Sequence, residues 1–221
     1  MIISIDGPSG AGKSTLGKML SKELGLLYLD TGAMYRSVAV AVLAAGISIE
    51  DHAGITEVAR RSSIELRGDS DALRVYLDGE DVTERIREKG VGQTASQIST
   101  ISGVRRSLVD RQRELGISAK NGAVLDGRDI GTVVFPNADI KFFLTADPEA
   151  RARRRFREDE SNGRATSYED TVTEINKRDE RDATREDSPL RIPENAVIID
   201  TSEMELNEVF ETMMQRISGK R

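Results

Sequence analysis

The sequence has no cysteine and no tryptophan, and only one histidine, His52, in 221 residues. The lack of cysteine excludes disulfides, thiolate nucleophiles, iron–sulfur clusters and cysteine-held zinc. A lone histidine argues against a histidine-built metal site and against a Ser-His-Asp triad. Basic charge is not in excess either. Lys plus Arg number 32 against 38 Asp plus Glu, a net charge of −6, which is not the footprint of a nucleic-acid binder. No apolar run approaches the ~20 residues of a membrane helix. The N-terminus opens into a short apolar strand, without a basic region or cleavage site. A cytoplasmic protein that binds neither nucleic acid nor membrane is expected. No heptad pattern appears, and a monomer is expected. Any catalysis falls to lysine, arginine, carboxylates, hydroxyls, backbone amides and a borrowed ion.

At about 150 residues per domain, the length suits a single domain. It also suffices for a core without metal or disulfide staples. Short apolar runs alternate with helical patterns. Ile2, Ile3 and Ile5 form a strand that meets a turn at Asp6-Gly7. Leu16, Met19, Leu20 and Leu24 fall on one face of a helix over Lys13 to Leu24, which Gly25 stops. A second strand is expected at Leu26 to Leu29, a helix at Gly32 to Ala45 and a short one at Ile55 to Arg61. Ile64 to Leu66, Val75 to Leu77 and Val82 are β-like pieces separated by Gly68-Asp69 and Asp78-Gly79, both hairpin signals. They predict a small antiparallel meander at 64–83. Helices follow at Val91 to Gln97 and Val104 to Leu115. Further strands are expected at Ala123 to Leu125, Ile140 to Leu144 and Val197 to Ile199, with a last helix at Leu206 to Ile217. The pattern is α/β: a five-stranded parallel sheet with helices on both faces, a small antiparallel β insertion and a charged helical region at 151–187. Ligands in such sheets bind beyond the carboxyl ends of the strands, where Asp6, Asp30, Asp126 and Asp200 stand.

One stretch carries chemistry in full. Gly7, Pro8, Ser9, Gly10, Ala11, Gly12, Lys13 and Ser14 match G-x-x-x-x-G-K-[ST], followed by Thr15. A buried strand precedes it and an amphipathic helix follows, the context the motif requires. Backbone N–H groups in such a loop converge on phosphate oxygens, and side chains at the glycines would block them. The helix that begins near Lys13 points its positive end at the same place. Lys13 then neutralises the outer phosphates and the Ser14 hydroxyl ligates Mg²⁺. Asp126 ends an apolar strand and is a candidate second magnesium partner through water; capping the Gly127 turn is the alternative.

Gly127 stands where motor and transport ATPases carry a water-activating carboxylate. Asn176-Lys177-Arg178-Asp179 has the spacing of a guanine-reading motif, but it sits in a charged helical run and not after a buried strand. A phosphate monoester needs no base to attack, because its second pKa is about 6 and it is mostly dianionic at neutral pH. It needs positive charge so that two anions can approach in line. Arginine is abundant where that role requires it. Arg151, Arg153, Arg154, Arg155 and Arg157 fall within seven residues. Arg151, Arg154 and Arg155 share a helix face, as do Arg178, Asp182 and Arg185. Two charged helices joined at Ser161-Asn162-Gly163 make a plausible lid over phosphates. Tyr35 and Arg36 sit one turn into the helix opened by Asp30-Thr31-Gly32. His52, near a helix start, is expected at the surface.

Taken together, Ile5 to Ser14, Asp30-Thr31-Gly32-Ala33-Met34-Tyr35-Arg36, the block Asp126 to Pro136, and Arg178 to Asp182 with Arg185 resemble the bacterial cytidylate kinases. The resemblance spans nearly the whole chain, and the Asp126–Pro136 block is more specific than the phosphate loop. It implies ATP-dependent phosphorylation of CMP and dCMP with Mg²⁺. By position, Arg36, Arg128 and Arg185 would hold the acceptor phosphate. Thr31, where the family often has serine, would read cytosine with Arg105 and Asp129. Ser96, Arg178 and Asp182 would contact the sugar, and Tyr35 would line the acceptor site. Arg151, Arg154 and Arg155 would bridge the phosphates with Lys13. The implied organisation is a core (about 1–30, 102–150 and 188–221), an acceptor-binding region (about 31–101) and a lid (about 151–187). Two alternatives use the same loop: a hydroxyl kinase of shikimate type with Asp30 as base, and a nucleotide-binding regulatory module.

Overall fold

A computed structural model describes residues 1–68, 72–88, 90–161, 163 and 165–219. Asp69 of the first expected turn and Asn162 of the expected lid turn lie outside the described residues. Strands β1 (Ile2–Asp6), β2 (Leu27–Asp30), β6 (Ala123–Gly127), β7 (Ile140–Thr145) and β8 (Val197–Asp200) form one sheet in the order β2-β6-β1-β7-β8. Every pairing in it is parallel. Strands β3 (Ile64–Arg67), β4 (Arg74–Leu77) and β5 (Glu80–Asp81) form the small antiparallel sheet. The helices are α1 (Lys13–Leu24), α2 (Thr31–Ala44), α3 (His52–Arg61), α4 (Val91–Ile98), α5 (Ser102–Ser118), α6 (Pro148–Ser161), α7 (Tyr168–Thr184) and α8 (Leu206–Ser218). None of these is long and apolar enough to cross a membrane.

Strand β6 shows how the layers arise. Val124 packs with Leu16 and Leu20 of α1 and with Val209 and Met213 of α8. Its neighbours Ala123 and Leu125 pack with Val109 of α5 and with Ile130 and Val134. Successive strand residues point to opposite faces, so the two clusters cover the two sides of the sheet. This double cover makes the strands near-continuous apolar runs instead of alternating ones. A third cluster joins α2, α3, α4 and α5 to the antiparallel sheet through Val38, Ile55, Val75, Val82, Ile98 and Leu108. The β4–β5 turn has positive φ at both Asp78 (51°) and Gly79 (86°), the geometry for which Asp-Gly is suited.

The differences from expectation lie at element ends and in two irregular turns. Helix α3 starts at His52, earlier than Ile55, because the Asp51 side chain caps it through the Gly54 N–H. Helix α5 runs two residues before Val104 and ends past Leu115. Val82 is buried just beyond β5 and not within a strand. A 3₁₀ turn at Arg85–Arg87 and a π-helical turn at Ile130–Val134 have no periodic signature. The π turn is held from outside: Asp6 accepts from the Ile130 and Gly131 N–H groups, each at 2.7 Å. Among the described residues of α6 and α7, Phe156 and Tyr168 meet edge to face, with ring centroids 6.0 Å apart.

Leu108 is fully buried in the third cluster. Leu108→Ala should lower unfolding stability by about 2–5 kcal/mol, read as a lower urea midpoint at unchanged slope.

Candidate active site

Parallel pairing sets the site. Asp6 lies opposite Gly127, and Asp30 opposite Asp126, so three carboxylates stand together at the carboxyl ends. The chain leaves β1 through Gly7, whose φ is 145° and where a Cβ would lie 2.0 Å from the Leu144 carbonyl oxygen. Only glycine fits there. Gly10, at φ 79°, is pressed against Arg151, 2.9 Å from where its Cβ would sit. Lys13 opens α1, is buried, and donates to the Pro8 carbonyl at 2.6 Å. Burial and the nearby Arg128 guanidinium pull its pKa well below the ordinary lysine value, against the opposing pull of Asp126.

Asp126 is tied to the phosphate loop. Ser14 Oγ donates to its Oδ2 at 2.7 Å, and the Tyr28 hydroxyl to its Oδ1 at 3.0 Å. Burial, with Asp30 beside it, pushes its pKa up to about 6. Its backbone carbonyl accepts from Thr31 Oγ1 at 2.7 Å. Asp30 caps α2 through the Ala33 N–H and pairs with Arg36 at 2.9 Å.

A second group gathers around Asp129 and Asp182. Arg105, 2% exposed, pairs with Asp129 and donates to the Ser99 carbonyl. Its guanidinium lies 5.9 Å from the half-buried Tyr35 ring. Arg128 Nε donates to Asp182 at 2.8 Å. Arg185 stands 3.8 Å from Asp129 and 4.0 Å from Asp182, and its Nε donates to the Ser188 carbonyl. Burial, then the charge of Arg128, lowers the Arg178 pKa to about 10. Among the described residues, Arg105 Nε, Arg178 Nε, Arg185 Nη2 and Asp179 Oδ1 are buried side-chain atoms with no hydrogen-bond partner. These cations crowd one another and have unmet donors, a surrounding suited to an anion.

The three lid arginines are not a common face toward phosphate. Arg151 is 4% exposed and donates to the carbonyls of Ala146 (2.9 Å) and Ser9 (3.1 Å), and pairs with Asp179 at 2.6 Å. Arg154 is bound to the Thr201 hydroxyl and carbonyl beyond β8. Arg155 pairs with Glu158 and Asp159 of its own helix. Ser96 Oγ accepts from Arg181, a partner not singled out from the sequence. Asp6, Tyr28 and Asp179 were also missed as site residues. The strand-end position pointed to Asp6; nothing in the local pattern around Tyr28 distinguishes it from a packing residue. His52 is exposed at the start of α3, as expected. A groove of about 440 Å³ between α3 and α5, lined in part by Thr56, Arg60, Arg106 and Arg111, shares no residue with this constellation.

A doubly covered parallel sheet, a phosphate loop leaving its central strand and buried arginines at the same strand ends define a P-loop kinase. The cytidylate kinase profile matches residues 3–219. The cytidylate kinase of Caldanaerobacter subterraneus subsp. tengcongensis is 52% identical over 97% of this chain and 93% of that protein. That of Geobacter sp. is 45% identical, over all of this chain and 94% of its own length. The chain belongs to the cytidylate kinase family. A shikimate kinase structure from Bacteroides thetaiotaomicron superposes with a TM-score of 0.50 at 14% identity, covering 99% of this chain and 97% of that one. At that identity the likeness speaks to the fold alone.

Burial pushes the Asp6 pKa from the ordinary 3.8 up to about 7, against the lowering effect of its two backbone hydrogen bonds. The folded state therefore holds the extra proton between those values. The associated stability is full below the unfolded pKa and is lost as pH rises through the folded one. Asp6→Asn removes this dependence. The wild-type-minus-variant unfolding free energy should fall with pH across that window, by up to about 1.4 kcal/mol per pH unit, in urea titrations. A pH-independent difference would show Asp6 to be ionised throughout.

Proposed function

We propose that the chain transfers the γ-phosphoryl group of ATP to CMP and dCMP through the residues gathered at these strand ends. The observation that carries the reading is the mutually repelling set of buried Lys13 and half-buried Arg128 and Arg178. Such a set favours a doubly charged acceptor and needs no base to activate it. In this reading Gly7 to Thr15 cradle the donor phosphates, and the N–H groups at the start of α1 add to Lys13. Arg36, Arg128 and Arg185 hold the acceptor phosphate in line. Tyr35 lines the pocket beside Arg105.

Ser14 Oγ and Asp126 Oδ2 form a hard oxygen pair that suits Mg²⁺, which binds through few protein ligands and keeps its waters. Bound there with the donor phosphates, Mg²⁺ would supply charge neutralisation: Ser14 would hold it directly and Asp126 through water.

The Arg105–Asp129 pair supports cytosine as the base. The carboxylate accepts from the N4 amine, and the guanidinium donates to N3 and O2. Uracil would turn a carbonyl toward Asp129. Sites that leave a buried polar group unmet by the wrong substrate discriminate strongly. Ser96, Arg178 and Asp182 would contact the sugar. Helices α6 and α7 would act as a lid that excludes water. In this reading the enzyme is a cytoplasmic monomer acting on small molecules.

Arg128→Ala should lower kcat for CMP by about 10²–10³-fold or more, with the thermal midpoint little changed; near-normal turnover would remove Arg128 from phosphate binding. Asp129→Asn should reduce the kcat/KM ratio of CMP over UMP by at least about tenfold, measured by coupled ADP release. An unchanged ratio would take Asp129 out of base reading.

A further inference from the structure

We propose that Tyr28 is a positioning residue for phosphoryl transfer: its hydroxyl holds the Asp126 carboxylate so that Oδ2 faces Ser14. Tyr28 is not among the residues that bind either substrate in the reading above. It lies in β2, opposite Val124 of β6, with Asp30 opposite Asp126 two residues on. Its side chain is buried, yet the phenol reaches Asp126 Oδ1 at 3.0 Å, while Ser14 takes Oδ2 at 2.7 Å. Each carboxylate oxygen thus accepts from one hydroxyl. Thr31 meets the backbone carbonyl of the same residue. Between them, these contacts fix Asp126 at both its carboxylate and its main chain.

The seat of the ring is built into α1. A Cβ at Gly17 would lie 2.8 Å from the Tyr28 Cε2 atom. The helix that carries Lys13 and Ser14 therefore leaves a space, one turn on, for the phenol. A carboxylate without this donor is free to rotate. Rotation takes Oδ2 away from Ser14 and turns the Ser14 lone pairs away from the phosphate loop. Groups standing behind metal ligands in this way tune affinity without touching the ion.

The inference rests on the reading of Ser14 and Asp126 as the metal side of the site, and the test separates the two. Mn²⁺ binding to the enzyme with ADP is measured by electron paramagnetic resonance for wild type, Tyr28→Phe, Asp126→Asn and the double variant. Tyr28→Phe should weaken Mn²⁺ binding on the order of tenfold. In turnover, its metal requirement should rise more than kcat falls. In the Asp126→Asn background the same change should have no further effect. Normal Mn²⁺ binding in Tyr28→Phe with weakened binding in Asp126→Asn would overturn the role of Tyr28 and leave the metal reading standing. Normal binding in both would overturn both.

A wild-type measurement guards against a folding defect in the variant. The sequence has four tyrosines, so tyrosine labelled with ¹³C at Cζ gives a spectrum simple enough to follow each ring. Adding Mg²⁺ to the ADP complex should shift the Tyr28 signal, identified by its displacement in Gly17→Ala. A Tyr28 signal indifferent to Mg²⁺ would overturn the proposal.

Discussion

One carboxylate, Asp6, ties the donor half of the site to the acceptor half. It ends β1, one residue before the phosphate loop. Across the sheet it accepts from the Ile130 and Gly131 N–H groups. Those two residues begin the π turn that follows Arg128 and Asp129. A helical turn exposes unpaired N–H groups at its start, and here a strand of the central sheet satisfies them. The position of Arg128 and Asp129, proposed to bind the acceptor, is therefore referred to β1, the strand that also launches the phosphate loop. In the proposed reading, the two substrates that must meet in line are held by segments tied to one residue, the phosphate loop through the chain and the π turn through the Asp6 side chain.

The rest of the site is a problem in charge balance. Lys13, Arg105, Arg178 and Arg185 are buried or nearly so. An isolated buried cation is expensive. Asp129 and Asp182 offset these cations by pairing with Arg105, Arg128 and Arg185, while Asp126 acts on Lys13 through its charge and holds the Ser14 and Tyr28 hydroxyls. Asp182 illustrates the outcome. Burial works to raise its pKa, but Arg128 and Arg178 outweigh that and hold it below the usual carboxylate range. The pairs are incomplete on the arginine side, where Arg178 Nε and Arg185 Nη2 have no hydrogen-bond acceptor among the described residues. The site thus keeps a residual demand for negative charge, in the place where phosphates are proposed to sit.

The sheet and its ligand edge were legible because they depend on local signals: apolar runs bounded by Asp-Gly turns, and a loop whose glycines have steric reasons. Ile2 to Ser14 is readable from end to end for that reason. The Ile130–Val134 turn was not, because its support comes from Asp6, more than a hundred residues away, and its own β-branched residues suggest no helix. Arg151, Arg154 and Arg155 show the limit of helical spacing as a guide. Their i, i+3, i+4 pattern places them on one face, but long side chains diverge to whichever acceptors lie in reach: Ser9 and Ala146, Thr201, and Glu158 with Asp159. Tyr28 was hidden for another reason. In a strand covered on both sides, a tyrosine looks like packing until the position of its oxygen is known.

The anchoring of Arg151 also bears on mechanics. Its Cα and Cβ press on Gly10, its guanidinium grips Ser9, and one turn further along α6 Arg154 is fastened to Thr201 beyond β8. The first turn of α6 is in effect a bracket bolted to the phosphate loop on one side and to the sheet edge on the other. A stiff rod fixed at its base bends only beyond the clamp. In the proposed lid, any swing must therefore pivot past Arg154, with the stroke carried by the outer part of α6. The phosphate loop would stay registered to the sheet while that cover moved.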